Sequence, residues 1–231
     1  MIKLVIFDLD DCLIDAWGAS FPITIREAIN AMVSKGLRID SIDKAVDRLN
    51  EINNKSSNCP EAITKYLTEI GANPDEYMEV GKRAIYDFNF KGRIKPLPGA
   101  LEMLDKLVSL GIDLAIVTKG GRERQMRRMK MAGIDEKKFR KIITVTDYDK
   151  TKPYEQILRE LNHPAEETLV VGDRYKTDLI PGKNLGTKIA WVPYGRGKIH
   201  PPKKEEVDYV VENLGEIVNI VTIELRHTKS I

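Results

Sequence analysis

Apolar residues run unbroken from Leu4 to Phe7, and the chain then turns acidic at Asp8, Asp10, Asp11 and Asp15. A strand covered by helices on both faces needs no polar alternation, so this run predicts an internal strand of a parallel sheet that ends at Asp8. Beyond it the pattern changes to apolar spacings of three and four, which predict amphipathic helices. The first has Thr24 as N-cap with Glu27 three residues later, a stripe of Ile25, Ala28, Ile29, Met32 and Val33, and Gly36 as its stop. A second carries Ile42, Ala45, Val46, Leu49 and Ile52. The third starts at Pro60 and packs through Ile63, Leu67 and Ile70 before Gly71. The fourth follows Asn73 and Pro74 and presents Tyr77, Val80, Ala84, Ile85 and Phe88. Four such stripes bury one another in a small bundle. Gly92, Pro96, Pro98 and Gly99 then punctuate the stretch from Lys91 to Gly99 as a linker does.

From Pro98 onward strands and helices alternate, the mark of βαβ units. Strands are expected at Asp113–Val117, Lys141–Val145, Thr168–Gly172 and Lys188–Val192, with an edge strand at Asp208–Val211. Helices are expected at Glu102–Leu110, Arg122–Ala132, Pro153–Leu161 and Leu214–Ile220, and a short one kinked at Pro181 within Tyr175–Leu185. The predicted fold class is α/β: a Rossmann-like parallel sheet core over residues 1–15 and 95–231, interrupted by a helical module over 16–94.

Composition narrows the partners. A net charge of +2 from 37 basic and 35 acidic residues makes no general electrostatic case for nucleic acid or an anionic membrane. The basic run Arg122, Arg124, Arg127, Arg128 and Lys130 spreads around a helix and reads as a solvated face. Tyr194 to Lys198 reads as a basic, solvent-exposed loop. Two cysteines, Cys12 and Cys59, make no disulfide framework, and the N-terminal apolar run is too short for a secretory core or a membrane span. A cytoplasmic protein is expected, and oligomeric state is left open.

The chemistry gathers at strand ends. Asp8, Thr118 and Asp173 each close a predicted strand of one sheet, and in a parallel sheet those ends lie on the ligand-binding edge. Separately, Asp8 and Asp10 would suit a surface turn and Thr118 a helix N-cap; together they form a polar constellation. Clustered carboxylates favour a hard cation, and oxygen ligands suit Mg2+. Asp173 would complete a metal site. Asp178, five residues on, would either approach that site or hold a partner such as Lys152, which precedes Pro153 at a strand-to-helix junction. Lys119, beside Thr118, is a further candidate for binding phosphate or substrate.

These residues resemble the haloacid dehalogenase superfamily of aspartate-nucleophile phosphohydrolases along nearly the whole chain. Asp8-Leu9-Asp10 matches its Asp-x-Asp motif, Thr118 its strand-ending hydroxyl, Lys152 its lysine before a helix, and Gly172 to Asp178 its Gly-Asp-x4-Asp motif. The helical module looks like the family's C1-type cap, and Leu97-Pro98-Gly99 like the return into the core. Cys12 departs from the Thr or Val of many members, with consequences for packing of the turn. The resemblance implies that Asp8 attacks phosphorus and that Asp10 is the general acid and base. It further implies that Asp8, the Asp10 carbonyl and Asp173 hold Mg2+, and that Thr118, Lys152 and nearby amides bind the phosphoryl group of a small phosphorylated metabolite selected by the cap. Asp10 argues against carbon-halogen hydrolysis, because haloacid dehalogenases lack an acid there. A phosphosugar mutase and a non-enzymatic regulator on the same fold are the competing readings.

Overall fold

The computed structural model describes residues 1–86 and 92–227, with side chains described through 223. Phe88 of the fourth helical stripe and Lys91 at the start of the predicted linker lie outside the described residues. In chain order the elements are β1 (Leu4–Phe7), α1 (Ala16–Ala19), α2 (Phe21–Ser34), α3 (Ile42–Asn53), α4 (Cys59–Glu69), α5 (Pro74–Tyr86), α6 (Ala100–Ser109), β2 (Asp113–Lys119), α7 (Arg122–Met131), β3 (Lys141–Val145), α8 (Thr151–Leu161), β4 (Thr168–Gly172), α9 (Ile180–Asn184), β5 (Lys188–Trp191), β6 (Tyr209–Val210) and α10 (Glu216–His227). Short 3-10 turns and one π turn, Tyr175–Leu179, join them. The chain divides into two compact units, Met1–Ala16 with the chain from Arg93 onward, and Trp17–Gly92.

The first unit is built on six strands in the order β3-β2-β1-β4-β5-β6, every pair parallel. β1 lies inside the sheet, with Leu4 opposite both Asp113 and Thr168 and Phe7 opposite both Ile116 and Val171. All four of its residues are buried, as its uninterrupted apolar run requires. On one face Leu4, Ile6, Ala115, Val117, Val170 and Ile189 pack with Tyr154 and Ile157 of α8 and with Leu179. This register places Asp8 one residue beyond the last β1 pairs, and its amide donates to the Val171 carbonyl at 2.9 Å. Asp8, Thr118 and Asp173 therefore share the carboxyl edge of adjacent strands, where such sheets bind ligands.

The second unit has its own core. Ile25, Ile29 and Met32 of α2 meet Val46 and Leu49 of α3, Ile63 and Leu67 of α4, and Tyr77 and Ile85 of α5. Gly81 lets α5 approach closely, since a Cβ there would lie 3.2 Å from Ile63 and 3.3 Å from Met32. The caps differ from expectation at one helix. α2 begins at Phe21, so Thr24 lies inside it and its hydroxyl donates to the Phe21 carbonyl at 3.1 Å instead of capping. Pro22 explains the shift: its fixed φ suits a first turn, and its missing N–H needs no partner there. α3 and α4 are capped by Ser41 and Asn58, the latter accepting from the Glu61 amide at 2.9 Å. Among the described residues no helix is long and apolar enough to cross a membrane.

Candidate active site

Three buried carboxylates define the centre. Asp8, Asp173 and Asp178 each offer one oxygen within 4.8 Å of the others. Lys150 is buried among them, its Nζ 2.6 Å from Asp8 Oδ1 and 2.8 Å from Asp178 Oδ1. Burial opposes charge on the ammonium, yet the Asp178 and Asp8 carboxylates outweigh it and hold Lys150 well above the ordinary lysine range. Asp8 is pushed up to about 7, first by burial and then by Asp178 and Asp10, against the opposing pull of Lys150. Burial likewise drives Asp173 well above the ordinary carboxylate range, with Asp178, Asp11 and Asp8 adding to it. A cluster that raises its own proton affinity in this way is one whose charge a cation relieves.

Lys150, not Lys152, is the lysine of this site. Lys152 is exposed on the first turn of α8, two residues beyond the junction. Pro153 had marked the helix start, but α8 begins at Thr151, and a proline is accepted anywhere in a first turn whose amides have no intrahelical partners. The residue at the junction is therefore Lys150, and the Asp149 carboxylate accepts from the Thr151 amide at 2.9 Å beside it.

The other acids are held by the backbone. Asp178 Oδ2 accepts from the Arg174 amide at 2.9 Å while Oδ1 faces Lys150, so Asp178 holds the lysine rather than standing free. Asp173 Oδ2 accepts from the Gly197 amide at 3.1 Å, and its carbonyl accepts from the Trp191 indole at 2.7 Å. A Cβ on Gly197 would fall 2.2 Å from the Asp173 carbonyl oxygen, so only glycine fits that approach. The stretch from Tyr194 to Lys198 is thus not a solvated loop: it contributes a 3-10 turn in which Arg196 and Gly197 are buried. Asp11, at φ 65°, takes the left-handed turn after β1 and accepts from the Ala16 amide at 3.1 Å. Cys12 packs beneath, its thiol 3.6 Å from the Val171 carbonyl.

Asp10 faces α7. Arg128 Nη1 lies 2.6 Å from Asp10 Oδ1, a close ion pair without hydrogen-bond alignment. Gln125 Nε2 donates to the Thr118 hydroxyl at 2.7 Å, to the Lys119 carbonyl at 3.2 Å and to Asp10 Oδ2 at 3.3 Å. Arg128 is therefore buried, contrary to the solvated face read from the basic run. Its signal was the helix itself: with so few apolar residues, α7 buries polar ones, here Gln125 and Arg128 at a spacing of three. The Lys119 ammonium sits over the Tyr148 ring, 3.0 Å from its centroid, with the Arg174 guanidinium 5.3 Å from the same ring.

Residues 5–192 match the family model described as haloacid dehalogenase-like hydrolase, and the chain belongs to that family. It is 30% identical over 203 residues to a glyceraldehyde 3-phosphate phosphatase of Pyrococcus abyssi, covering 85% of this chain and 83% of that one. A protein of the same description from Methanocaldococcus jannaschii is 30% identical over 227 residues, covering 96% and 97%. Among solved structures, one described as a predicted phosphoglycolate phosphatase from Haemophilus somnus superposes with a TM-score of 0.73 at 20% identity, covering 95% of this chain and 97% of that one, a likeness of fold. The chain is thus a hydrolase of this family, and the relatives it is similar to are described as phosphatases.

Proposed function

We propose that the protein is a Mg2+-dependent phosphatase that cleaves a small phosphate monoester through an aspartyl-phosphate intermediate. The observation that carries this reading is Lys150 pinned between Asp8 and Asp178 on the sheet edge that also bears Asp10, Thr118 and Asp173. An Asp8 carboxylate oxygen attacks phosphorus as the ester P–O bond breaks, and Asp10 gives its proton to the departing alkoxide. Water then attacks the acyl phosphate, Asp10 takes the water proton, and inorganic phosphate leaves with Asp8 regenerated. Lys150 and the Thr118 hydroxyl serve the equatorial phosphoryl oxygens, where charge concentrates in the transition state. Lys119 is close to that hydroxyl in sequence and serves substrate binding in the same reading.

The buried carboxylate set fits a hard cation, and Asp8, Asp173 and the Asp10 carbonyl are the groups that would hold Mg2+. When bound, Mg2+ neutralises the acids and polarises the phosphate. The relatives described as glyceraldehyde 3-phosphate phosphatases make a three-carbon phosphate ester the first substrate to try. The test is phosphate release from a panel of phosphorylated metabolites with Mg2+, glyceraldehyde 3-phosphate included, with Asp8→Asn as the blank. Release by the wild type and none by Asp8→Asn is expected. Equal release by both sinks the reading, and a bisphosphate intermediate without net release would favour a mutase.

A further inference from the structure

The Asp10 side chain is 27% exposed, on the turn that leaves β1, yet both its oxygens are engaged from α7. Arg128 faces Oδ1 and Gln125 donates to Oδ2. The two residues sit three apart on one face of the helix, at 5% and 0% exposure. Glu123 and Arg127 on the same helix form a surface pair at 3.7 Å, whereas Arg128 reaches across to a different element. Gln125 also donates to Thr118, so one amide group ties the acid on the turn after β1 to the hydroxyl of β2. Gly120, at φ +139°, a backbone conformation that residues with a Cβ rarely adopt, carries the turn that runs beside Gln125.

Proton transfer needs a carboxyl oxygen within hydrogen-bond reach of the leaving oxygen, and a side chain on a turn meets that condition only when its rotamer is held. Each carboxylate oxygen has two lone-pair sites, so a contact to α7 leaves one for the substrate. We infer that Arg128 and Gln125 are positioning residues that hold Asp10 from α7 in the orientation for proton transfer, with Gln125 setting Thr118 in the same frame. The inference rests on the reading of Asp10 as general acid and base.

The test compares kcat/KM for an alkyl phosphate and for p-nitrophenyl phosphate with Mg2+. This parameter reports the steps through aspartyl-phosphate formation. An alkoxide needs a proton as it departs, and p-nitrophenolate does not. Arg128→Met is expected to lose about 10²-fold on the alkyl ester and less than about tenfold on the aryl ester. Arg128→Lys is expected to regain part of the alkyl loss. Gln125→Leu, which also frees Thr118, is expected to lose on both esters and more on the alkyl one. Equal losses on the two esters by Arg128→Met, in a protein that melts like the wild type, overturn the inference. Where Arg128→Met fails to fold, equal losses on the two esters by Arg128→Lys and Gln125→Leu overturn it in the same way. Wild-type protein that releases phosphate from neither ester, or Asp8→Asn that matches wild type, overturns the underlying functional reading and this inference with it.

Discussion

Replacing Lys150 with methionine keeps a similar stem and removes a buried ammonium that lies 2.6 Å from Asp8 and 2.8 Å from Asp178. Two buried carboxylates are then left facing each other. Removing one partner of a buried ion pair costs about 3–5 kcal/mol. At about 2–4 °C per kcal/mol for a chain of this size, the melting temperature should fall by about 6–20 °C. Turnover should fall by about 10²–10³-fold, the usual loss for one donor to a developing charge.

The pH dependence of this effect has a definite sign. Asp8 is raised from 3.8 to about 7 in the folded protein, chiefly by burial. A carboxyl raised on folding contributes stability that is full below about pH 4 and drains away as pH rises through 7. Without the Lys150 charge Asp8 moves higher still, so the drain continues in the variant at pH values where it has ended in the wild type. The gap in melting temperature should therefore widen above pH 7. Thermal melts of metal-free protein from pH 5 to 9, with phosphate release in parallel, measure both effects. Lys152→Met is the control: Lys152 is exposed, and its loss should change stability by less than about 0.5 kcal/mol. If Lys152→Met reproduced the losses while Lys150→Met behaved like wild type, the assignment of the lysine would be wrong.

Asp8→Asn should abolish phosphate release while circular dichroism and melting still report a folded chain. Gly197→Ala would drive a Cβ to 2.2 Å from the Asp173 carbonyl and displace the amide that holds Asp173, so half-maximal activity should need about 10–100-fold more Mg2+. Chelation with EDTA should stop turnover, and because protons compete with metal for Asp8, the Mg2+ midpoint should rise as pH falls below about 7; a midpoint flat with pH would argue against Asp8 as a ligand. Asn58→Ala, which removes the cap accepting from Glu61, should cost about 1 kcal/mol in a thermal or urea melt.

Much of this was legible in residue order. The run Leu4–Phe7 and the run Thr168–Gly172 show no alternation because both strand faces are covered, and in such strands composition and environment carry the same information. Their polar ends then mark the edge where Asp8 and Asp173 meet. The stripes of α2 to α5 were largely plain, since the buried positions are the sides that pack, although Ile42 and Ile70, at the ends of their helices, are exposed.

What tertiary structure decided concerns groups whose role depends on a partner distant in sequence. Lys150 and Lys152 are chemically the same, and only the true start of α8 sets which one enters the site. Arg128 lies in a run whose charge suggests solvent, and it is buried because Asp10, 118 positions earlier, offers a carboxylate across the sheet edge. Gly197 contributes an amide, a group every non-proline residue carries, so its function comes from close approach alone. Local pattern reports which faces are buried, because burial selects residue type at each position. Which charges pair is a property of distance, and the distances exist only once β1, β2, β4 and α7 are packed together.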